Sequence, residues 1–310
     1  MISPRIVSFT TLLLSGTLIA PLNAQPSFPT QPEAAQLICT DVEHFLVAQS
    51  HIAAGEDVAA TLQTHYLDTG SPGLREFLNR HAMSAAQLAA AMSDTPEVYA
   101  QLPAWLENVD ALRARYVTHL TNYQKVIPDA MFPPAYLLVG DNKGIAQASR
   151  EGQLITINRA LDRPEVLLNV ALHELTHFQQ ARKMGFQKYI GLYAQKDNML
   201  ALILREGGAE FVTYLVTGRV SQTKAQAYLQ ANEQALKPRF RADLAQQDAK
   251  FWLWDSLEQN EIPSLLGYVV GFKICQAYYE GATDKAAALD AILRMEDPAA
   301  FLEQSGYLQF

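Results

Sequence analysis

Two apolar helical stretches carry ionisable residues that a protein core cannot leave alone, and this constrains the fold more than any other feature. Residues 164 to 180 read Pro164-Glu165-Val166-Leu167-Leu168-Asn169-Val170-Ala171-Leu172-His173-Glu174-Leu175-Thr176-His177-Phe178-Gln179-Gln180. Asp162 can cap this helix and Pro164 can occupy its first turn. Four residues along an α-helix turn through about 400°, so His173 and His177 project from nearly the same face. Leu168, Ala171, Leu172 and Leu175 surround them and favour burial, and buried, unpaired His and Glu side chains are costly. A second apolar stretch, residues 198 to 217 (NMLALILREGGAEFVTYLVT), carries Glu206 and Glu210, again on one face. The fold is expected to bring these faces together.

The order His, Glu, two spacers, His is that of zinc-dependent hydrolases. Two imidazoles one turn apart can share a Zn2+ ion, and Glu206 would supply the third protein ligand that a catalytic site needs. Glu210, one turn on, would accept a hydrogen bond from the free nitrogen of a liganding histidine. Glu174 would stand beside the metal without binding it, as general base to a zinc-activated water. The plainer alternative has His173, Glu174 and His177 on a solvent face, with Gly207 and Gly208 ending one helix and starting another. If the helix is continuous, the two glycines cost up to about 1 kcal/mol each, and close approach to the zinc helix is the expected compensation. Tyr268 is the candidate donor to an oxyanion, with Tyr214 behind it. An ordinary half-buried core tyrosine is the competing reading of Tyr268.

Elsewhere the pattern is mainly α. Residues 34 to 126 show helical spacing, with breaks at 68–73 and 94–96. Ala135-Tyr136-Leu137-Leu138-Val139 and Leu154-Ile155-Thr156-Ile157 read as strands, predicting a small antiparallel β element around residues 135–158 in a mainly α (α+β) fold. Residues 136–139 are a candidate edge for strand addition by a peptide. His44, His51, His65 and His81 share no ligand spacing, and His119 stands alone, so all five read as surface or packing residues.

The first 24 residues carry Arg5, an apolar run and the small-residue ending Leu22-Asn23-Ala24, which predicts a signal peptide cleaved after Ala24. Residues 25–33 read as a flexible leader. One zincin-like domain is expected over 34–310, with a helical part at 34–130 and a metal-binding part at 131–310. The expected location is periplasmic or secreted, with no stable membrane insertion after cleavage. The formal charge of −8 becomes −9 with the loss of Arg5, which argues against a nucleic-acid partner. Cys39 and Cys275 could pair in an oxidising compartment or remain as two buried thiols.

The HELTH segment followed by EGGAEF resembles the gluzincin metallopeptidases, in which the first Glu of such a second motif is a ligand. More closely, the chain is similar to the predicted bacterial zinc-dependent proteases related to the DUF2268 group and the gliding-motility lipoprotein GldB. The likeness extends to SPGLREF (71–77), YLLVG (136–140), LGYVVGFKICQAYYE (266–280) and DPAAFLEQSGY (297–307). It departs at Asn142-Lys143-Gly144-Ile145, where Asn-Ser-Gly-Gly is the pattern. The resemblance implies His173, His177 and Glu206 as ligands and Glu174 as base in a zinc metallopeptidase acting on peptide or protein substrates. The same residues would also serve a zinc hydrolase of non-peptide amides or esters, or a non-catalytic, metal-stabilised envelope protein.

Overall fold

The computed structural model describes residues 28–194, 198–246, 249–253 and 262–309. The expected signal peptide and the first residues of the leader lie outside them. Helices come first: α1 (Thr40–Ala53), α2 (Val58–Leu62), α3 (Pro72–His81), α4 (Ala85–Asp94), α5 (Pro96–Tyr99), α6 (Leu102–Glu107) and α7 (Val109–Val126). A short strand, β1 (Leu37–Ile38), precedes them, and β2 (Ala135–Leu138), β3 (Ala146–Ala148) and β4 (Gln153–Thr156) follow. The remaining helices are α8 (Pro164–Met184), α9 (Phe186–Tyr193), α10 (Met199–Thr217), α11 (Thr223–Gln246), α12 (Lys250–Leu253), α13 (Leu266–Gly281), α14 (Lys285–Arg294) and α15 (Pro298–Ser305). Among the described residues the protein is mainly helical with a small β element, as the patterning predicts.

Local chemistry sets the element ends. Ser71 caps α3 by accepting from Leu74 N, with Pro72 in the first turn, and Ser84 and Gln87 close a reciprocal capping box on α4. Asn198 caps α10 through Ala201 N. Asp162 does not cap α8: the cap position falls on Arg163, which makes no side-chain cap, and Pro164 alone marks the start.

The sheet differs from the antiparallel ribbon expected. Its order is β1-β2-β4-β3, and the two sequence-legible strands, β2 and β4, pair in parallel. The antiparallel partner of β4 is β3, in register Ala146↔Ile155 to Ala148↔Gln153. Ser149 and Gly152 close that turn, and Gly152 has φ +139 with its missing Cβ 2.1 Å from Pro134 O, so no side chain fits there. Nor is β2 an edge. It lies between β1 and β4, every residue is buried, and the Tyr66 hydroxyl seals its end by donating to Val139 O and accepting from Val139 N. Strand addition along 136–139 is therefore excluded, and the outer strands are β1 and β3.

Buried apolar residues form two clusters. One gathers Leu37 to Leu175 with Val212, Leu289 and Leu293, and the other runs from Tyr193 to Tyr307. The first half of α8 packs into the former and most of α10 into the latter, so the α8–α10 contact lies where the two cores meet. Cys39 belongs to the first cluster and Cys275 to the second, and both are buried free thiols, not a disulfide. Burial pushes the Cys39 thiol up to about 11 despite nearby Arg113. Residues 28–33, expected as flexible leader, dock on the fold: Phe28 meets Phe178 edge-on, Phe132 N donates to Pro29 O, and Gln124 donates to Thr30 O. No helix among the described residues is long and apolar enough to cross a membrane.

Helix α10 is continuous through Gly207 and Gly208, which removes the reading of two helices divided by glycines. The close approach is made, but principally to another neighbour. A Cβ on Gly207 would lie 2.1 Å from the Gly271 carbonyl carbon on α13, and one on Gly271 would lie 2.2 Å from Ile203 O. Gly208 faces α8 and α14: a Cβ there would stand 3.2 Å from Gln180 Nε2 and 3.3 Å from Ile292 Cγ2. Backbone contact with α13 thus fixes the rotation of α10 that turns Glu206 and Glu210 towards α8.

Candidate metal centre

Helix α8 supplies His173, Glu174 and His177, and α10 supplies Glu206 and Glu210. All are buried except His173, which is partly so. The imidazoles stand nearly perpendicular, 86° between planes with centroids 4.7 Å apart. His173 Nε2 and His177 Nε2 are 3.0 Å apart, and each lies 3.2 Å from Glu206 Oε2.

The outer nitrogens decide what those inner atoms are. Gln180 Nε2 donates to Arg205 O at 2.9 Å, which leaves Gln180 Oε1 to accept from His177 Nδ1 at 2.8 Å. His173 Nδ1 faces Glu210 Oε1 at 3.3 Å, the contact expected of Glu210. With protons on both Nδ1 atoms, two imidazole lone pairs and a carboxylate oxygen would point at one another, an arrangement that a shared cation would satisfy. The 3.0–3.2 Å spacings compare with the roughly 3.3 Å between atoms that bind tetrahedral zinc at about 2.0–2.1 Å. The donor set, two nitrogens and one carboxylate oxygen, suits zinc.

The electrostatics favour a positive charge within the cluster. Burial alone would lower the pKa of His173, but the Glu206 and Glu210 carboxylates outweigh it and hold the ring well above its ordinary value. Burial would raise Glu206, yet the charges of Arg205 and His177 and the hydrogen bonds of both histidines keep it well below the usual carboxylate range. Glu210 is lowered in the same way, against its burial, by His173 and by Ser221 and Gln222. A proton on His173 is the simplest cation to settle this cluster, and a divalent metal serves all three lone pairs at once.

Glu174 is buried and has no hydrogen-bond partner among the described residues. Its charge acts on His173, Tyr189 and Tyr268. Tyr268 stacks on His173 with centroids 6.0 Å apart and 15° between planes. Its hydroxyl is held well above its ordinary pKa by burial and by the Glu206 carboxylate with which it interacts. Tyr214 packs edge-on against Phe272, one turn along α13 from Tyr268.

Sequence reasoning missed two members. Gln180 is one turn beyond His177, and its amide fixes the imidazole tautomer. Arg205 donates to Glu206 Oε1 through Nε at 2.9 Å and a terminal nitrogen at 2.5 Å. The available signal was a lone arginine inside the apolar run MLALIL–REGGAEF.

A second gathering of ligand-type residues was also unforeseen. His51 at the end of α1, Glu56 in the following turn and His65 in a π-helical turn (Gln63–Leu67) bring one possible ligand atom each within 4.8 Å of one another. There the rings are stacked, 4.2 Å between centroids with 14° between planes, and His51 Nδ1 meets Glu56 Oε1 at 2.7 Å. His44, His81 and His119 join neither group among the described residues. In comparison with known proteins, the chain matches no family model, no curated protein and no solved structure.

Proposed function

We propose that this chain is an exported zinc-dependent hydrolase acting on peptide bonds, with His173, His177 and Glu206 holding the metal and Glu174 as general base. The observation that carries the proposal is the convergence of two imidazole Nε2 atoms and one carboxylate oxygen, 3.0–3.2 Å apart, inside the protein. The export part rests on the N-terminal sequence. The peptide substrate rests on the resemblance to gluzincins.

When bound, the dication would supply Lewis acidity, polarising a carbonyl and making water acidic enough to attack near neutral pH. The remaining work falls to the chain's own side chains. The unpartnered Glu174 carboxylate accepts the proton of the attacking water and returns it to the leaving nitrogen. Tyr268, stacked on His173, presents a hydroxyl that can donate to the developing oxyanion. Glu210 and Gln180 hold the imidazoles in the tautomer that leaves Nε2 free. A purely structural centre would normally recruit a fourth protein ligand, whereas Glu210, the other carboxylate of α10 at the cluster, is already engaged with His173 Nδ1.

The test compares hydrolysis of a peptide library by the parent and by Glu174→Gln, each with measured metal content. Activity in the parent, lost in the variant at equal metal content, is the expected result. Equal activity in both contradicts the enzyme reading, and a parent that cleaves esters but not peptides moves the substrate class.

A further inference from the structure

Consecutive helical side chains point about 100° apart and do not normally face each other. Arg205 nevertheless turns back on Glu206 and gives two of its donors to the same oxygen, Oε1. The other oxygen, Oε2, is the one that faces both imidazoles. The guanidinium is itself held in place: its carbon sits 4.9 Å from the centre of the Tyr193 ring, and it interacts with Tyr189. Only 26% of the side chain is exposed.

A buried ion pair of this kind is a poor source of stability, because desolvating both charges offsets their attraction. Beside a dication a guanidinium is also repulsive on charge alone. What the pair supplies is therefore geometric. Two donors on one oxygen fix the plane of the Glu206 carboxylate and leave the second oxygen alone to point inward.

We infer that Arg205 is a positioning residue that occupies Oε1 of Glu206, so that this carboxylate offers the metal one oxygen and not two. The inference rests on the cluster being a metal centre. It explains how a site with three protein ligands keeps a place for water or substrate, since a carboxylate free to bind through both oxygens would fill it. It also gives a reason for a charged residue in the middle of an otherwise apolar helix face.

The test uses the full mature protein loaded with Co2+ in place of zinc, because the visible spectrum of cobalt reports its coordination number. The parent is expected to show the intense bands of four-coordinate cobalt. In Arg205→Met, at equal cobalt content and unchanged circular dichroism, those bands should weaken severalfold and move to shorter wavelength as Glu206 binds through both oxygens. Arg205→Lys keeps the charge without the planar fork and should recover only part of the intensity. Should Arg205→Met fail to fold, Arg205→Gln, which retains one amide donor, is read in the same way. An unchanged spectrum in the folded variant overturns the positioning role and leaves the metal centre intact, whereas a parent that takes up no cobalt overturns the metal reading beneath it.

Discussion

Two places in this molecule gather two histidines and a glutamate, and they differ in what the side chains are free to do. At His51, Glu56 and His65 the rings lie face to face, 14° apart in plane. At His173, His177 and Glu206 they stand at 86° with Nε2 atoms 3.0 Å apart. A metal bound by imidazole lies in the ring plane along the nitrogen lone pair. Stacked rings keep their lone pairs in parallel planes, whereas perpendicular rings let them cross. The first group is exposed at Glu56 and has water to satisfy it, and its His51–Glu56 contact already explains its geometry. The second is buried between helices, with both outer nitrogens engaged by Glu210 and Gln180. Ligand-type residues in proximity are thus not enough; a site needs burial and outer partners that fix where each lone pair points.

The largest test of this contrast removes the carboxylate that accompanies only the buried group. Glu174→Gln should lower peptide hydrolysis by about 10²–10⁴-fold with metal retained, and Glu56→Gln should leave kcat/KM unchanged. Next come the outer partners. Glu210→Ala should weaken zinc binding about 10–100-fold, and Glu206→Ala by more than that, both read by competition with a chelating dye; the reverse order would show that the ligand is misassigned. The helix crossing behind the buried group gives a smaller effect. Gly207→Ala places a methyl where the α13 backbone lies 2.1 Å away, and overpacking of this kind typically costs about 1–3 kcal/mol, measurable by urea unfolding. Smallest of all, His65→Ala should change stability by no more than about 0.5 kcal/mol and leave zinc content untouched. Loss of bound zinc in His65→Ala would erase the distinction between the two groups.

Much of the buried site was legible because helical periodicity fixes which residues share a face. His173 with His177 and Glu206 with Glu210 follow from spacing alone, and the apolar residues between them imply burial. What the sequence could not show was set by neighbours distant in the chain. Gly207 announced a close approach, but only the packed structure shows the partner to be Gly271 of α13. The direction of β4 relative to β2 depends on β3, whose Ala146-Gln147-Ala148 carries no branched or aromatic strand signal. His51 and His65 lacked ligand spacing because they lie on different elements, α1 and the π-helical turn that follows α2, which only the fold brings together. Arg205 and Gln180 matter through hydrogen bonds to partners whose positions a helical wheel does not give.

The most direct measurement is the zinc content and affinity of the purified protein set beside those of His177→Ala and Glu206→Ala. The account predicts about one tightly held equivalent per parent chain, as one set of three protein ligands binds one ion, and its loss in each variant while His51→Ala keeps it. A folded parent that holds no zinc, or a Glu206→Ala protein that holds it as tightly as the parent, would contradict the central claim.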